Sequence, residues 1–237
     1  MHRLLTLIAL CFCGFLSAQR SSVDFSGGLH YSFRTVSAED HSTHPTTSGE
    51  SGIVTGMVGF HYRHRLSETY GFRTGLRLSA LGYEKAFTGL RWGSQHDGMG
   101  GFDPTLPTNP LTPAAFTSRR DRLFLEIPLL WHQTLGRMAW TPYLEAGLLA
   151  GAYVTSRTQI TEGAAADPEY FDEADGAVHR FQLSSTLSLG VEHPLSDRLA
   201  LFLQANGRYQ LTPLAEGPVR ERLYAAGLEM GIRRSFP

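Results

Sequence analysis

Cysteine is almost missing from this chain of 237 residues: only Cys11 and Cys13 carry a thiol, and both sit in one apolar stretch near the amino terminus. With that stretch removed as a leader, the mature chain has neither disulfides nor thiolate metal sites. Also missing is any run of about 20 apolar residues, the length a helix needs to cross a bilayer. Excess charge of either sign is lacking as well, with a net charge of -1, so the basic footprint of a nucleic-acid-binding protein is absent and no nucleic-acid partner is expected. No phosphate-binding glycine loop, nucleophile elbow or zinc-protease helix motif occurs. The reading therefore assigns no catalytic, cofactor-binding or metal residues and expects no enzyme. Mean hydropathy is slightly negative, at -0.16, which argues against a helical membrane protein. It does not count against a barrel, whose apolar half hides in alternate positions.

What the chain does have is alternation. From Val23 to Arg34 apolar and polar residues take turns without a break, and seven later segments repeat the period. A strand sends successive side chains to opposite faces, so the pattern gives each segment one apolar and one polar face. The outward set of the first segment is Val23, Phe25, Gly27, Leu29, Tyr31 and Phe33; the inward set is Asp24, Ser26, Gly28, His30, Ser32 and Arg34. The second points Val54, Gly56, Val58, Phe60 and Tyr62 outward, and the third Tyr70, Phe72, Leu76, Leu78 and Ala80. Five more follow near 122–134, 140–156, 179–193, 198–211 and 222–236. A soluble sandwich also alternates, but it needs an opposed sheet to cover the apolar face.

The connections separate the two architectures. Links at Ser67 to Thr69, Gly136 to Met138 and Ser196 to Asp197 are tight, whereas those near 35–51, 84–121, 157–178 and 212–221 are longer. Short links on one side and long ones on the other predict an all-β, eight-stranded, antiparallel up-and-down transmembrane barrel with short periplasmic turns, long extracellular loops and both termini in the periplasm. A basic start at His2 and Arg3, an apolar run from Leu4 to Leu16 and small Ala18 before Gln19 read as a secretory signal peptide over 1–18. The barrel then takes 19–237 as one domain, with outer-membrane lipid and the barrel-assembly machinery as expected partners.

Two sets of residues carry the barrel reading. Tyr62, Tyr70, Phe72, Trp131, Trp140 and Phe236 fall at the periplasmic rim and Tyr31, Phe33, Tyr209 and Tyr224 at the outer rim, where amphipathic rings form girdles. Inward positions collect Arg63, Arg73, Arg77, Arg208 and Arg233 with Glu126, Glu145, Glu192 and Glu229. Arg34, Arg65 and Asp24 face the same way. Charges inside so narrow a bore need partners, so a cross-barrel ion-pair network is expected. Guanidinium groups nearby would hold the glutamates ionised and unsuited to donate protons.

Other residues invite comparison with known chemistry. The His30-x-Ser32 spacing is similar to that of the outer-membrane lipid A deacylases, which set base and nucleophile on one strand face; here the inward register predicts polar lining. His41 and His44 lack a third metal ligand, and the odd separation of His61 and His64 sends them to opposite faces. Glu162, Asp167, Glu169, Asp172, Glu173 and Asp175 make an acidic loop without an EF-hand register. The longest loop, with Gly98, Gly100, Gly101, Pro104, Pro107, Pro110 and Pro113, reads as irregular chain and as the place for recognition by an outside partner.

The stretch Arg122-Leu-Phe-Leu-Glu-Ile-Pro-Leu-Leu130, followed after a tight turn by Thr141-Pro-Tyr-Leu-Glu-Ala-Gly147, resembles the central hairpin of the PorT-like outer-membrane β-barrel family. The resemblance implies a small outer-membrane barrel; one member, PorT itself, is associated with a protein-secretion apparatus. In that hairpin Pro128 is expected to bend or interrupt its strand at an edge or bulge. The chain ends Phe236-Pro237 rather than on an aromatic residue. The reading is of an integral outer-membrane barrel without enzymatic activity, structural or accessory to a surface or secretion complex. A narrow porin-like channel for small solutes and a lipid-modifying enzyme are the alternatives.

Overall fold

The structure, a computed structural model, describes residues 21–38, 48–88, 115–136, 138–162, 168–171, 178–214 and 219–236, except the side chains of Ala38, Glu162, Phe171 and Val219. The signal peptide, His41, His44, the glycines and prolines of the longest loop, and Asp167, Asp172, Glu173 and Asp175 lie outside these residues. Nine strands are present among them: β1 (Ser21–Ala38), β2 (Glu50–Arg65), β3 (Tyr70–Thr88), β4 (Ala115–Thr134), β5 (Thr141–Glu162), β6 (Glu169–Phe171), β7 (Phe181–Pro194), β8 (Leu199–Gln210) and β9 (Val219–Ser235). Eight of them pair antiparallel around a ring, β1-β2-β3-β4-β5-β7-β8-β9, which the β9–β1 ladder closes; three-residue β6 pairs only with the far end of β5. Closure removes the free edges that an exposed sheet would offer to other chains. Among the described residues no helix is long and apolar enough to cross a membrane.

The ring is strongly staggered. Following paired residues from Ser32 through Ala225, Arg208, Thr186, Gly147, Leu130, Arg73 and Arg63 leads back to β1 at Ser22, ten residues from the start. Such a shear tilts the strands and sets an eight-stranded bore just wide enough for side chains to fill.

The outer wall is apolar and the inside polar. Leu29, Leu76 and Leu187 are exposed by 63%, 55% and 58%, whereas Asp24, Glu126, Glu145 and Arg233 are wholly buried. Hydrocarbon around the barrel stabilises that polarity, because the closed ring pairs neighbouring strands without leaving a free edge to the lipid. Leu187 lies on β7 between the two aromatic levels, so Leu187→Arg should destabilise the barrel in lipid vesicles by about 2–4 kcal/mol, whereas Leu211→Arg at the rim costs about 0–1 kcal/mol. Equal urea midpoints for the two variants would contradict a lipid-facing wall.

The strands run farther than hydropathy alternation suggested. β1 reaches Ala38 and β2 begins at Glu50, where a link over 35–51 was expected; β3 and β4 extend to Thr88 and from Ala115, inside the expected 84–121 link. β5 likewise continues to Glu162 and β9 starts at Val219. In the extensions of β1 and β4 the outward face turns polar, with Thr35 and Ser37 on one and Arg119 and Asp121 on the other. The apolar signal stops there while the backbone ladder does not.

Pro128 also departs from expectation. It sits inside β4, points into the bore and causes no register shift; the β4 irregularity falls at Leu123/Phe124. The β3–β4 ladder instead skips the two positions opposite Gly75 and Leu76 and resumes in the same register at Arg77↔Glu126. Proline has no N–H to donate, and Gly75, at φ 154, takes the backbone geometry on the other side of the gap.

Candidate functional site

The barrel interior holds the densest chemistry among the described residues. Arg73, projecting from β3, is its hub: Nη1 donates to Glu145 at 2.9 Å, Nη2 to Glu229 at 3.0 Å and to His61 Nδ1 at 2.9 Å, and Nε lies 3.2 Å from Asp24. Strand pairing alone would not join these groups. β3, β5, β9, β2 and β1 each contribute one, so the bonds tie opposite walls of the ring together.

Toward the turn end, Arg233 grips Asp24 through Nε (2.7 Å) and Nη2 (3.0 Å), and its Nη1 bonds Glu192. Arg63 lies 3.4 Å from Glu192 and donates to His132 Nε2 at 2.9 Å. An arginine cannot accept, so His132 carries its proton on Nδ1 and donates it to Glu145 Oε1, 3.0 Å away. Tyr143 donates to Gln204 at 2.9 Å, and Gln204 donates to Glu229 at 2.7 Å. The carboxylates are thus surrounded by donors, which offsets the large cost of taking them out of water.

Toward the loop end, Glu126 is shared by Arg77 (2.8 Å) and Arg208 (2.5 Å). The Arg208 guanidinium also donates to Ser184 at 3.1 Å. Five guanidinium groups, of Arg63, Arg73, Arg77, Arg208 and Arg233, therefore meet five carboxylates, of Asp24, Glu126, Glu145, Glu192 and Glu229. All nine residues assigned to the lumen from the sequence lie in this network. Asp24, read as an inward acid, joins them, whereas His61, His132, Tyr143 and Gln204 were not counted in the network, although inward parity on their strands marks each one.

A second omission is apolar. One to three inward positions loopward of the Arg77–Glu126 level, Leu81, Tyr83, Phe124, Leu214, Leu223 and Ala225 form a dry cluster, with Tyr153 packed against it. Arg34 lies over the Tyr83 ring at 4.0 Å and pairs with Glu50 and Glu221, and Lys85 joins Glu50 at 3.3 Å. The bore is filled in turn by an ionic layer, an apolar layer and a second ionic layer. At the turn end a vestibule of ≈ 590 Å³, lined by Arg63, Arg65, Glu68 and Glu192, stops at the first of these.

Among the described residues the remaining candidates do not assemble a reaction centre. Ser32 Oγ accepts from Gly82 N at 3.0 Å, while neither ring nitrogen of buried His30 has a hydrogen-bond partner, so the pair is not joined as base and nucleophile. His61 is buried in the network and His64 stacks on Tyr62 outside. Among the described residues no group of His, Cys, Asp and Glu is arranged to hold a metal ion.

The two aromatic levels are in place on the outer wall. At the turn end Trp131 stacks on Tyr70 (5.1 Å) and meets Phe72 edge-on (5.2 Å), Trp140 stacks on His193, and Tyr62 and Phe236 are exposed nearby. At the loop end Phe33 stacks on Tyr224 at 5.4 Å.

A family model described as "Outer membrane protein beta-barrel domain" matches residues 17–216. No curated protein matches the chain. Among solved structures it is similar to the outer membrane protein OprG from Pseudomonas aeruginosa (10% identity, 92% of this chain and 97% of that one, TM-score 0.45). It is similar also to a major outer membrane protein from Thermus thermophilus (12%, 92% and 100%, TM-score 0.45) and to Neisserial surface protein A (8%, 92% and 97%, TM-score 0.41).

Proposed function

We propose, from the premise that this chain belongs to the outer membrane protein β-barrel domain family, that it is a closed, non-enzymatic barrel acting through its outer surfaces. Its place is the outer membrane and its surroundings are lipid. Within that setting we read it as a structural element or an accessory of a surface or secretion complex, in keeping with its PorT-like central hairpin. The signal peptide over 1–18 is removed on export, the barrel-assembly machinery inserts the chain, and both termini face the periplasm.

The observation that carries this reading is the filled bore. Arg73, Glu126, Phe124, Leu81 and Leu223, at successive levels, are each no more than 1% exposed. A channel needs a continuous wet path, which these buried levels interrupt, and a lipid-modifying enzyme needs its base and nucleophile joined at the lipid-facing rim, whereas among the described residues His30 and Ser32 are inward and unjoined. Planar-bilayer recording on the purified barrel should show no unitary steps in wild type. Regular single-channel steps would overturn the reading in favour of a pore. Co-purification from detergent-solubilised membranes should bring down a defined surface or export complex.

A further inference from the structure

The loop end of the outer wall is not uniform. On three consecutive strands, Tyr209 of β8, Tyr224 of β9 and Phe33 of β1 form one aromatic patch: Tyr224 stacks on Phe33 at 5.4 Å and meets Tyr209 edge-on at 4.8 Å. Moving loopward along β9, alternation puts Arg222 and then Arg220 on the same outward face. Opposite them on β1 stand Thr35 and Ser37, both neutral. The acid between them, Glu221, turns inward to Arg34. Among the described residues, the outward positions of β8, β9 and β1 at this level therefore include two arginines and no acid. Arg222 Nε is shielded from solvent and has no hydrogen-bond partner.

Unlike Arg222 Nε, the outward Arg119 Nε has an acid beside it, Asp121 at 3.0 Å. A shielded guanidinium donor just beyond an aromatic girdle, where hydrocarbon gives way to water, calls for a planar or tetrahedral oxyanion as acceptor. Membrane lipids present phosphate at that depth, with the apolar body below it.

We propose that the β8–β9–β1 face binds the phosphorylated headgroup of a membrane lipid, with its phosphate on Arg222 and Arg220 and its apolar part along Tyr209, Tyr224 and Phe33. The inference rests on the membrane reading above and adds a specific ligand class to it.

The test titrates the purified full barrel in detergent with lipid A, with dephosphorylated lipid A and with inorganic phosphate, for wild type, Arg222→Ala and Arg220→Ala/Arg222→Ala. Arg234→Ala, at the turn end of β9, is the control. Lipid A should bind about tenfold more weakly to the double variant, the loss expected for charge-assisted bonds. Dephosphorylated lipid A should bind wild type no better than lipid A binds the double variant, and Arg234→Ala should leave binding unchanged. Heat-modifiable gel mobility confirms that each variant is folded. Equal binding of the two lipids, or of wild type and the folded double variant, would overturn the proposal; inorganic phosphate displacing lipid A at comparable concentration would overturn the lipid assignment. Failure of wild type to insert into vesicles would count against the membrane reading itself, whereas insertion without phosphate-dependent binding counts against this site alone.

Discussion

Arg73→Leu is expected to destabilise the barrel by about 3–5 kcal/mol, the cost of leaving buried charges without their partner. Three carboxylates, of Asp24, Glu145 and Glu229, lie within 3.2 Å of its guanidinium, and all are almost completely buried. Glu145→Ala should cost about 3 kcal/mol or more by the same mechanism. It strands less charge, because Arg73 keeps two acids. The double variant Arg73→Leu/Glu145→Leu should lose less than the sum of the single effects, since each change removes a charge that the other leaves exposed to the low-dielectric interior. Urea unfolding of the barrel in lipid vesicles measures all three. An Arg73→Leu midpoint equal to wild type would mean that water reaches the network and hydrates it.

Gly75→Val should stop assembly or cost about 4 kcal/mol, combining positive-φ strain with a backbone clash. At φ 154 a side chain at position 75 would meet the Phe60 carbonyl oxygen and come within 2.6 Å of His61 Cα, and neither atom can swing away. Gly207→Val is the matched comparison. Its side chain would point into open space on the apolar wall, with nothing within 4 Å, and the variant should fold as wild type. Heat-modifiable mobility after refolding into vesicles gives both answers. Efficient folding of Gly75→Val would show that β3 relaxes freely where its ladder with β4 is broken.

Much of this barrel was legible in the chain because one physical rule governs it. The period of two assigns each residue a face, and hydrocarbon outside reverses the usual sense of burial, so outward Leu29, Leu76 and Leu187 and inward Glu126 and Arg77 could be sorted before any fold was drawn. The limits of that rule are equally specific. It carried no signal beyond the apolar band, so the ladders over 35–38 and 115–121 looked like loop. The missing N–H of Pro128 pointed to an edge or bulge, whereas two unpaired positions opposite Gly75 and Leu76 absorb the missing donor without a change of register.

The interior divides the same way. Parity placed the lumen arginines and glutamates on one face, but it could not say which would meet. Tyr143, Gln204 and His132 enter the network only because the stagger of the ring brings β4, β5 and β8 to the level of Arg73 and Glu229. Inward apolar residues such as Leu81, Phe124 and Leu223 break the polar pattern one at a time along separate strands and gain meaning only where they converge. The sequence by itself determined the strand faces, the polarity and the membrane environment, because those follow from neighbours along the chain. Tertiary structure alone decided the pairing of charges and the closing of the bore, because shear sets the height of each side chain and height depends on all eight strands together.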